Sequence, residues 1–485
     1  MKNGFDNEKY LKIQSEEIKK RIAMFDSKLY LEFGGKLFDD YHASRVLPGF
    51  EANSKIKILQ ELKDDLEVVF CINAKDIEKK KIRADYGITY DKELLRLIEN
   101  LKALDICVSS VVITLYKGQT SVKSFRKMLE RMNVKTYIHT ATKGYPTEIE
   151  TIVSSEGYGL NEYIETTKKL VVVTAPGPSS GKLATCLSQL YHEYKRGVNA
   201  GYAKYETFPV WNLPLTHPVN IAYEAATADI QDINMIDPFH LEAYGVSAVN
   251  YNRDIATFPI LKNILLKITG KEIYKSPTDM GVNTLKDCII DDEVVKEASK
   301  QEIIRRYYAA LCDVKLEKLE EDTASRIKML MNELDISEKD RDVVLPALKK
   351  AEKENTHVIS LKLPNGKIIT GKQTDLLSPA SSAILNAVKE LTNIPDEVYL
   401  LSPAVLEPIL KLKDITIYQK LTNLNLQEVL IALSICSVTN PIIVKAIDNL
   451  SKLKNTDAHA SYMVSDEEIK IFKRLQINLT CEPKF

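Results

Sequence analysis

Along the first half of the chain, short apolar β-rich runs alternate with stretches of helical spacing, a pattern that predicts a parallel sheet with helices on its faces. The predicted strands are Leu29–Phe33, Glu67–Asn73, Ser110–Tyr116, Val134–His139, Leu170–Thr174 and Ile233–Ile236. Helices are predicted over Asp91–Ala103, Ser121–Arg131 and Gly181–Lys195. In the last of these, Leu183, Cys186, Leu187 and Leu190 recur at i, i+3, i+4 and i+7, so one face packs on the sheet. Thr185, Gln189 and His192 mark its other face.

From about Asp237 to Asn283 the chain is rich in Tyr, Pro, Asn and Asp and reads as irregular. Helical spacing returns with Ile304, Tyr307, Tyr308 and Leu311, and again with Ile327, Leu330, Met331 and Leu334. Beyond Asn355, HVISLKL and KIITGKQ flank Pro364-Asn365-Gly366 and predict a hairpin with an Asn-Gly turn. Ser378-Pro379 and Ser402-Pro403 predict two helix starts, a capping hydroxyl followed by proline at the first helical position. Short strands near Glu397–Leu401 and Ile477–Thr480 complete a second, smaller α/β domain. The expected class is therefore α/β. A doubly wound, mainly parallel sheet with a P-loop-like strand-turn-helix occupies 1–240, a mainly helical region 241–352, and the smaller α/β subdomain 353–485.

A chain of 485 residues exceeds one ordinary core, and an apolar fraction of 45% is ample to fill two or three. Its 66 basic and 67 acidic residues leave a net charge of -1 with no long run of one sign, so no nucleic-acid partner is implied. The longest apolar runs, Val108–Leu115 and Val429–Cys436, fall short of the roughly 18 to 20 residues that span a bilayer. The charged N-terminus lacks the apolar core of a secretory signal, which predicts a cytoplasmic protein with no membrane partner. The seven cysteines are scattered and never spaced C-x-x-C, which argues against a disulfide framework and against a zinc site.

The chemistry concentrates in Leu170–Tyr194, LVVVTAPGPSSGKLATCLSQLYHEY, where a buried-type strand runs through a Gly/Ser turn into a helix. A strand, a small-residue turn and a helix N-terminus aim backbone N–H groups and a helix dipole at one point, where an anion can sit. Gly177, Ser179, Ser180 and Gly181 would supply backbone and hydroxyl contacts, and Lys182 would neutralise charge. The strict G-x-x-x-x-G-K-[ST] pattern wants Gly at 176 and a hydroxyl at 183, but Pro176 and Leu183 stand there. Leu183 cannot ligate Mg²⁺, so a nucleotide with Mg is a weaker expectation than a phosphorylated small molecule.

In an open parallel sheet, ligands bind outside the carboxyl ends of the strands. The loops after the five strongest strands each carry a lysine: Lys36, Lys75, Lys117, Lys143 and Lys182. If those strands are neighbours, the lysines make a cationic pocket, with Lys36, Lys75 and Lys143 as secondary phosphate contacts. The alternative is that lysine is simply common in surface loops. Asp237, after INMI, is a Walker-B-like metal carboxylate or, more ordinarily, a turn former before Pro238.

His42 and Arg45 lie within a turn of Asp39 and Asp40, a mixture suited to acid, base and anion contacts or to a capping cluster. The polar loop Tyr274–Asn283 either closes over the site or connects domains. No histidine pair has metal-ligand spacing, and the turn lacks the G-x-S-x-G elbow of a serine hydrolase. The Arg305-Arg306 pair reads as the solvated edge of a helix whose tyrosines pack inward.

Six segments carry a family resemblance: KLYLEFGGKLFDDYHASRVLPGF, VVFCINAKDIEKKKIRADYGITYD, VVVTAPGPSSGKLATCLSQLYHEY, YKSPTDMGVN, IIDDEVVKEASKQEIIRRYY and INLTCEPKF. Through them the chain resembles the uncharacterised bacterial protein family 0371, also catalogued as domain-of-unknown-function family 1846. The resemblance implies a cytosolic bacterial protein with an α/β N-terminal part, a helical middle and a C-terminal α/β subdomain. That last part is similar in architecture to the three-layer deaminase-type fold. The zinc-deaminase pattern is absent, so deaminase chemistry does not carry over. The family brings no activity with it. The residues point to binding of a phosphorylated small molecule or nucleotide, with group transfer of the phosphoryl type as the enzymatic form. The rival expectation is a non-catalytic metabolite sensor or scaffold, and a homo-oligomer is expected in either case.

Overall fold

The computed structural model describes residues 2–25, 28–83, 87–416 and 423–485. The polypeptide forms two compact units, one of Lys2–Glu224 with Gln231–Ser299 and one of Ala225–Ile230 with Lys300–Phe485. No helix among the described residues is long and apolar enough to cross a membrane.

The first unit contains β1 (Lys28–Phe33), β2 (Leu66–Asn73), β3 (Ile82–Arg83), β4 (Ile88–Thr89), β5 (Val108–Thr114) and β6 (Lys135–Ile138). It continues with β7 (Leu170–Thr174), β8 (Ala200–Tyr205), β9 (Asn234–Ile236), β10 (Val249–Tyr251) and β11 (Gly281–Val282). Seven strands make one sheet in the order β11-β8-β1-β7-β2-β5-β6. Every neighbouring pair in it is parallel. Buried on both sides, β7 (LVVVT) reads as an apolar run closed by Thr174, as a central strand of a parallel sheet should, whereas β1 (KLYLEF) is equally buried but carries Lys28 and Glu32.

The order has one reversal that matters. From β1 the chain goes past β7 to β2 on one side, whereas from β7, a neighbour of β1, it goes past β1 to β8 on the opposite side. The segments leaving β1 and β7 therefore diverge to opposite faces of the sheet. The helix Lys182–Lys195 follows β7 and packs Cys186, Leu187 and Leu190 against Tyr30, Cys71, Val171 and Val173. On the other face the Tyr10 hydroxyl of helix Asn7–Ala23 meets the Tyr205 hydroxyl of β8 at 2.6 Å, and Ser15 binds Glu61 of helix Ser54–Glu61 at 2.7 Å. The crevice outside the carboxyl ends of β1 and β7 is the topological switch point of the sheet.

The polar residues Thr185, Ser188, Gln189 and Glu193 of helix Lys182–Lys195 are all buried. A polar seam runs beneath it. Glu193 Oε1 accepts from the Tyr30 hydroxyl at 2.6 Å and from Lys28 Nζ at 3.1 Å. Gln189 Nε2 donates to the Tyr30 hydroxyl at 3.1 Å and to Ile164 O at 2.9 Å. The seam fixes both the rotation and the depth of the helix, since a one-residue slip would strand a buried charge.

Three segments differ from the sequence expectation. Ile233–Ile236 is no strand of the main sheet: β9 pairs with β10 in a separate antiparallel ribbon. The stretch Asp237–Asn283 is largely ordered, with the 18-residue helix Asn252–Thr269 carrying Pro259 inside it and burying Phe258, Leu261, Ile264 and Leu265. Glu397–Leu401 forms turns instead of a strand, and Leu400 and Leu401 sink into a helical core with Leu385, Val388 and Leu433.

In the second unit, β12 (Val358–Lys362), β13 (Ile368–Lys372), β14 (Asp457–Ala460) and β15 (Asn478–Cys481) form a mixed sheet in the order β13-β12-β14-β15. The β12–β13 hairpin turns at Gly366, whose φ of +85° only glycine adopts freely. Ser378 caps helix Pro379–Thr392 as its spacing predicts. Ile359, Leu361, Ala383, Ile384 and Phe472 make the core of one face. On the reverse face Arg341, 1% exposed, bonds Thr480, Asp457 and the Asn478 carbonyl.

Replacing Glu193 by Ala leaves Lys28 buried without its carboxylate, and the expected loss is about 3–5 kcal/mol of unfolding free energy in a urea titration. The double replacement Lys28→Met, Glu193→Leu should recover most of it. Equal loss in the single and double variants would show that the seam is not held by the ion pair.

Candidate functional site

The turn between β7 and helix Lys182–Lys195 is built by its neighbours. Gly181 is the N-cap residue at φ +85°, and no side chain caps this helix. A Cβ at Gly181 would stand 3.0 Å from Thr114 Cβ, and Thr114 Oγ1 donates to Ser180 O at 2.7 Å. Asn73 Nδ2 reaches Ser179 O at 3.4 Å. The ends of β2 and β5 thus hold the turn from below. Tyr90 covers it at Gly177, where a Cβ would fall 2.3 Å from the ring. Two hydroxyls, Thr174 Oγ1 at the end of β7 and Ser180 Oγ in the turn, are buried without a hydrogen-bond partner. An unmet buried hydroxyl costs on the order of 1–3 kcal/mol.

Lys182 reaches along the carboxyl edge toward Glu32. Its Nζ lies 3.9 Å from Glu32 Oε1, with side chains 17% and 11% exposed. That separation is an ion pair and not a hydrogen bond, which leaves the ammonium's donors available in a largely dry place. Glu32 Oε2 also accepts from the Tyr202 hydroxyl at 2.9 Å.

The other sequence-selected lysines distribute unevenly. Lys36 follows β1 and Lys75 follows β2, and both strands border β7. Lys143 follows the edge strand β6, separated from β7 by β2 and β5, about 14 Å away at strand spacing. It pairs with Glu156 at the surface. The switch point itself is not a one-signed cationic pocket, because Lys182 faces Glu32 and the buried Lys55 pairs with Asp40 at 2.9 Å. Asp237 is the N-cap of helix Pro238–Tyr244. Its Oδ1 accepts from Phe239 N and His240 N, and its Oδ2 from Thr278 N and Oγ1, so its lone pairs are committed to turn formation. Among the described residues no group of three or more His, Cys, Asp or Glu is arranged to hold a metal ion. His42 packs edge-on to Phe208 at 5.3 Å. The Tyr274–Asn283 loop is pinned by Tyr274 donating to Tyr202 O and by Arg21 donating to Asp279 O at 2.8 Å, and it feeds β11.

Sequence reasoning missed a second set of charged groups beside Lys182. Glu32 and Lys204 are register partners in β1 and β8, so their side chains leave the same face of the sheet. Lys204 Nζ pairs with Glu206 Oε1 at 2.8 Å, with Asp254, and with the Tyr251 hydroxyl at 2.5 Å. Tyr251 in turn donates to Glu206. Burial pushes the Glu206 carboxyl up to about 7; the Lys204 ammonium opposes that and the Asp254 carboxylate adds to it. For Lys204 burial works against the charge, but Asp254, Glu206 and Glu32 outweigh it and hold the ammonium well above its ordinary range. Gly34 makes room for this group, since a Cβ there would meet Tyr205 O at 3.0 Å and Glu206 Cγ at 3.1 Å. The usable sequence signal was the i, i+2, i+4 spacing of Tyr202, Lys204 and Glu206.

Residues 3–335 match Domain of unknown function DUF1846, N-terminal, and residues 339–485 match its C-terminal counterpart. The chain belongs to this family. A UPF0371 protein of Clostridium tetani (strain Massachusetts / E88) is 56% identical over 494 aligned positions, covering 100% of this chain and 98% of the relative. A UPF0371 protein of Clostridium botulinum (strain ATCC 19397 / Type A) is similar to the same extent. Membership fixes an uncharacterised family with bacterial relatives, so the chemistry of this member has to come from its own residues.

With its carboxyl held near 7, Glu206 keeps a proton in the folded protein that the unfolded chain, near 4.5, has already released. Its stabilising contribution is fully present below about 4.5 and is lost as the pH rises through about 7. Thermal unfolding from about pH 5 to about pH 8 should show wild-type stability falling relative to Glu206→Gln by on the order of 1–3 kcal/mol. Parallel profiles for the two proteins would contradict a raised Glu206.

Proposed function

We propose that the protein binds a phosphorylated small molecule at the switch point between β1 and β7. Gly177, Ser179, Ser180 and Gly181 would cradle the phosphate, with Lys182 as its counter-charge. The observation that carries this reading is the Lys182 ammonium. It is largely buried at the first position of an uncapped helix, and its ion-pair partner Glu32 stands beyond hydrogen-bond distance. The dipole of a 14-residue helix and the two unmet hydroxyls of the strand end and turn favour an anion at the same point. Lys36 and Lys75 flank this point from the neighbouring loops, and Lys143 is remote from it. Nothing in the reading calls on a metal. Leu183 argues against Mg-assisted phosphoryl transfer at this turn, because the helix offers no hydroxyl where phosphate loops place one.

Titration calorimetry with inorganic phosphate, sugar phosphates and nucleotides tests it. At least one phosphorylated compound should bind, and Lys182→Met should weaken it about tenfold to a hundredfold, the worth of a charge-assisted hydrogen bond. Absence of binding across the series, or equal binding by Lys182→Met, sinks the proposal.

A further inference from the structure

Glu32 and Lys204 join the phosphate turn to a second group of charges. The sequence Lys182, Glu32, Lys204, Glu206 alternates in sign along the carboxyl edge of β7, β1 and β8, all on the face covered by helices Lys182–Lys195 and Asn252–Thr269. Two carboxylates, Glu206 and Asp254, share one ammonium, Lys204, and Tyr251 bonds both Lys204 and Glu206. One ammonium cannot neutralise two carboxylates, so the largely buried group is poised to hold an extra proton. Asp254 enters from the first turn of helix Asn252–Thr269 and is bonded by Lys204. Glu206 lies just past the end of β8 over Gly34 and keeps 24% of its side chain exposed, which leaves it open to a ligand.

We propose that Glu206 is the acid–base group of this site, exchanging a proton with a hydroxyl of the phosphorylated small molecule held at Gly177–Lys182. The inference rests on the phosphate-binding reading above. In the forward sense the ligand O–H bond breaks as a Glu206 Oε–H bond forms, and the electron pair and the negative charge stay on the ligand oxygen; in the reverse sense Glu206 returns the proton to that oxygen. Lys204, Tyr251 and Asp254 are positioning residues that set how readily Glu206 takes the proton. The charged and titratable groups around it are Lys204 and Glu32 from the sheet, Tyr251, Arg253 and Asp254 from β10 and the helix after it, and Tyr223.

Sulfate, which does not titrate near neutral pH, is the probe. An anion at the turn disfavours ionised Glu206, so sulfate binding near pH 7 should draw in a fraction of a proton, read by calorimetry in buffers of different ionisation enthalpy. Glu206→Gln should bind sulfate without proton uptake. Tyr251→Phe removes a hydrogen bond that favours the carboxylate and should move the pH of maximal uptake upward. Sulfate binding without uptake in the wild type, unchanged uptake in Glu206→Gln, or an unmoved profile in Tyr251→Phe overturns the inference and leaves the phosphate reading standing. Failure of the wild type to bind either sulfate or the phosphorylated series overturns both.

Discussion

One buried carboxylate near the carboxyl end of β1 organises the charged edge of the large sheet. Glu32 is buried in β1 between the strand that leads to Lys182 and the strand that carries Lys204. A lone carboxylate there would be expensive, so its cost is offset by the Tyr202 hydroxyl, the facing Lys182 and the neighbouring Lys204. Each of those partners is tied to something else: Lys182 to the N-terminus of its helix, Lys204 to Glu206 and Asp254. Remove Glu32 and two buried ammoniums lose a counter-charge at once. The arrangement keeps opposite charges close while Lys182 and Glu32 stay 3.9 Å apart, short of a direct hydrogen bond.

The same economy appears lower in the sheet. Glu193 serves Lys28 and Tyr30 below helix Lys182–Lys195, as Glu32 serves Lys182 and Tyr202 at its top. The helix that presents the candidate phosphate turn is therefore anchored at both ends by acid–base pairs to β1, and apolar packing of Cys186, Leu187 and Leu190 fills only the span between. Positional precision at the turn follows from that anchoring more than from the turn's own sequence.

Where the residues speak through periodicity, the sequence was legible. Leu170–Thr174 is a strand to the residue, and the Asn-Gly hairpin and the Ser378 cap stand where their local chemistry put them. What escaped had a physical reason. The strand Ala200–Tyr205, AGYAKY, has no β-branched residue and buries tyrosines and a lysine stem instead, so it does not read as a strand. Its invisibility hid Lys204 and Glu206 with it. Pro259 broke the apparent period of a helix that tolerates it, and Leu400-Leu401 looked like a strand because burial alone is indifferent to backbone form. The lysine-bearing loops were legible one by one, but whether they face each other depends on strand order. That order placed Lys36 and Lys75 beside β7 and Lys143 beyond two strands.

The late return of β7 into the gap between β1 and β2 also sets an order of events during synthesis. Until residues 170–174 emerge, β1 has no neighbour on either side, since its other partner, β8, comes later still. A nascent chain that stops short of Leu170 presents β1 and β2 with open, apolar inner edges, the surfaces through which unfinished sheets pair with one another. The strand that carries the candidate turn is thus also the keystone of folding: the large sheet cannot close before the segment that would bind the ligand has been made.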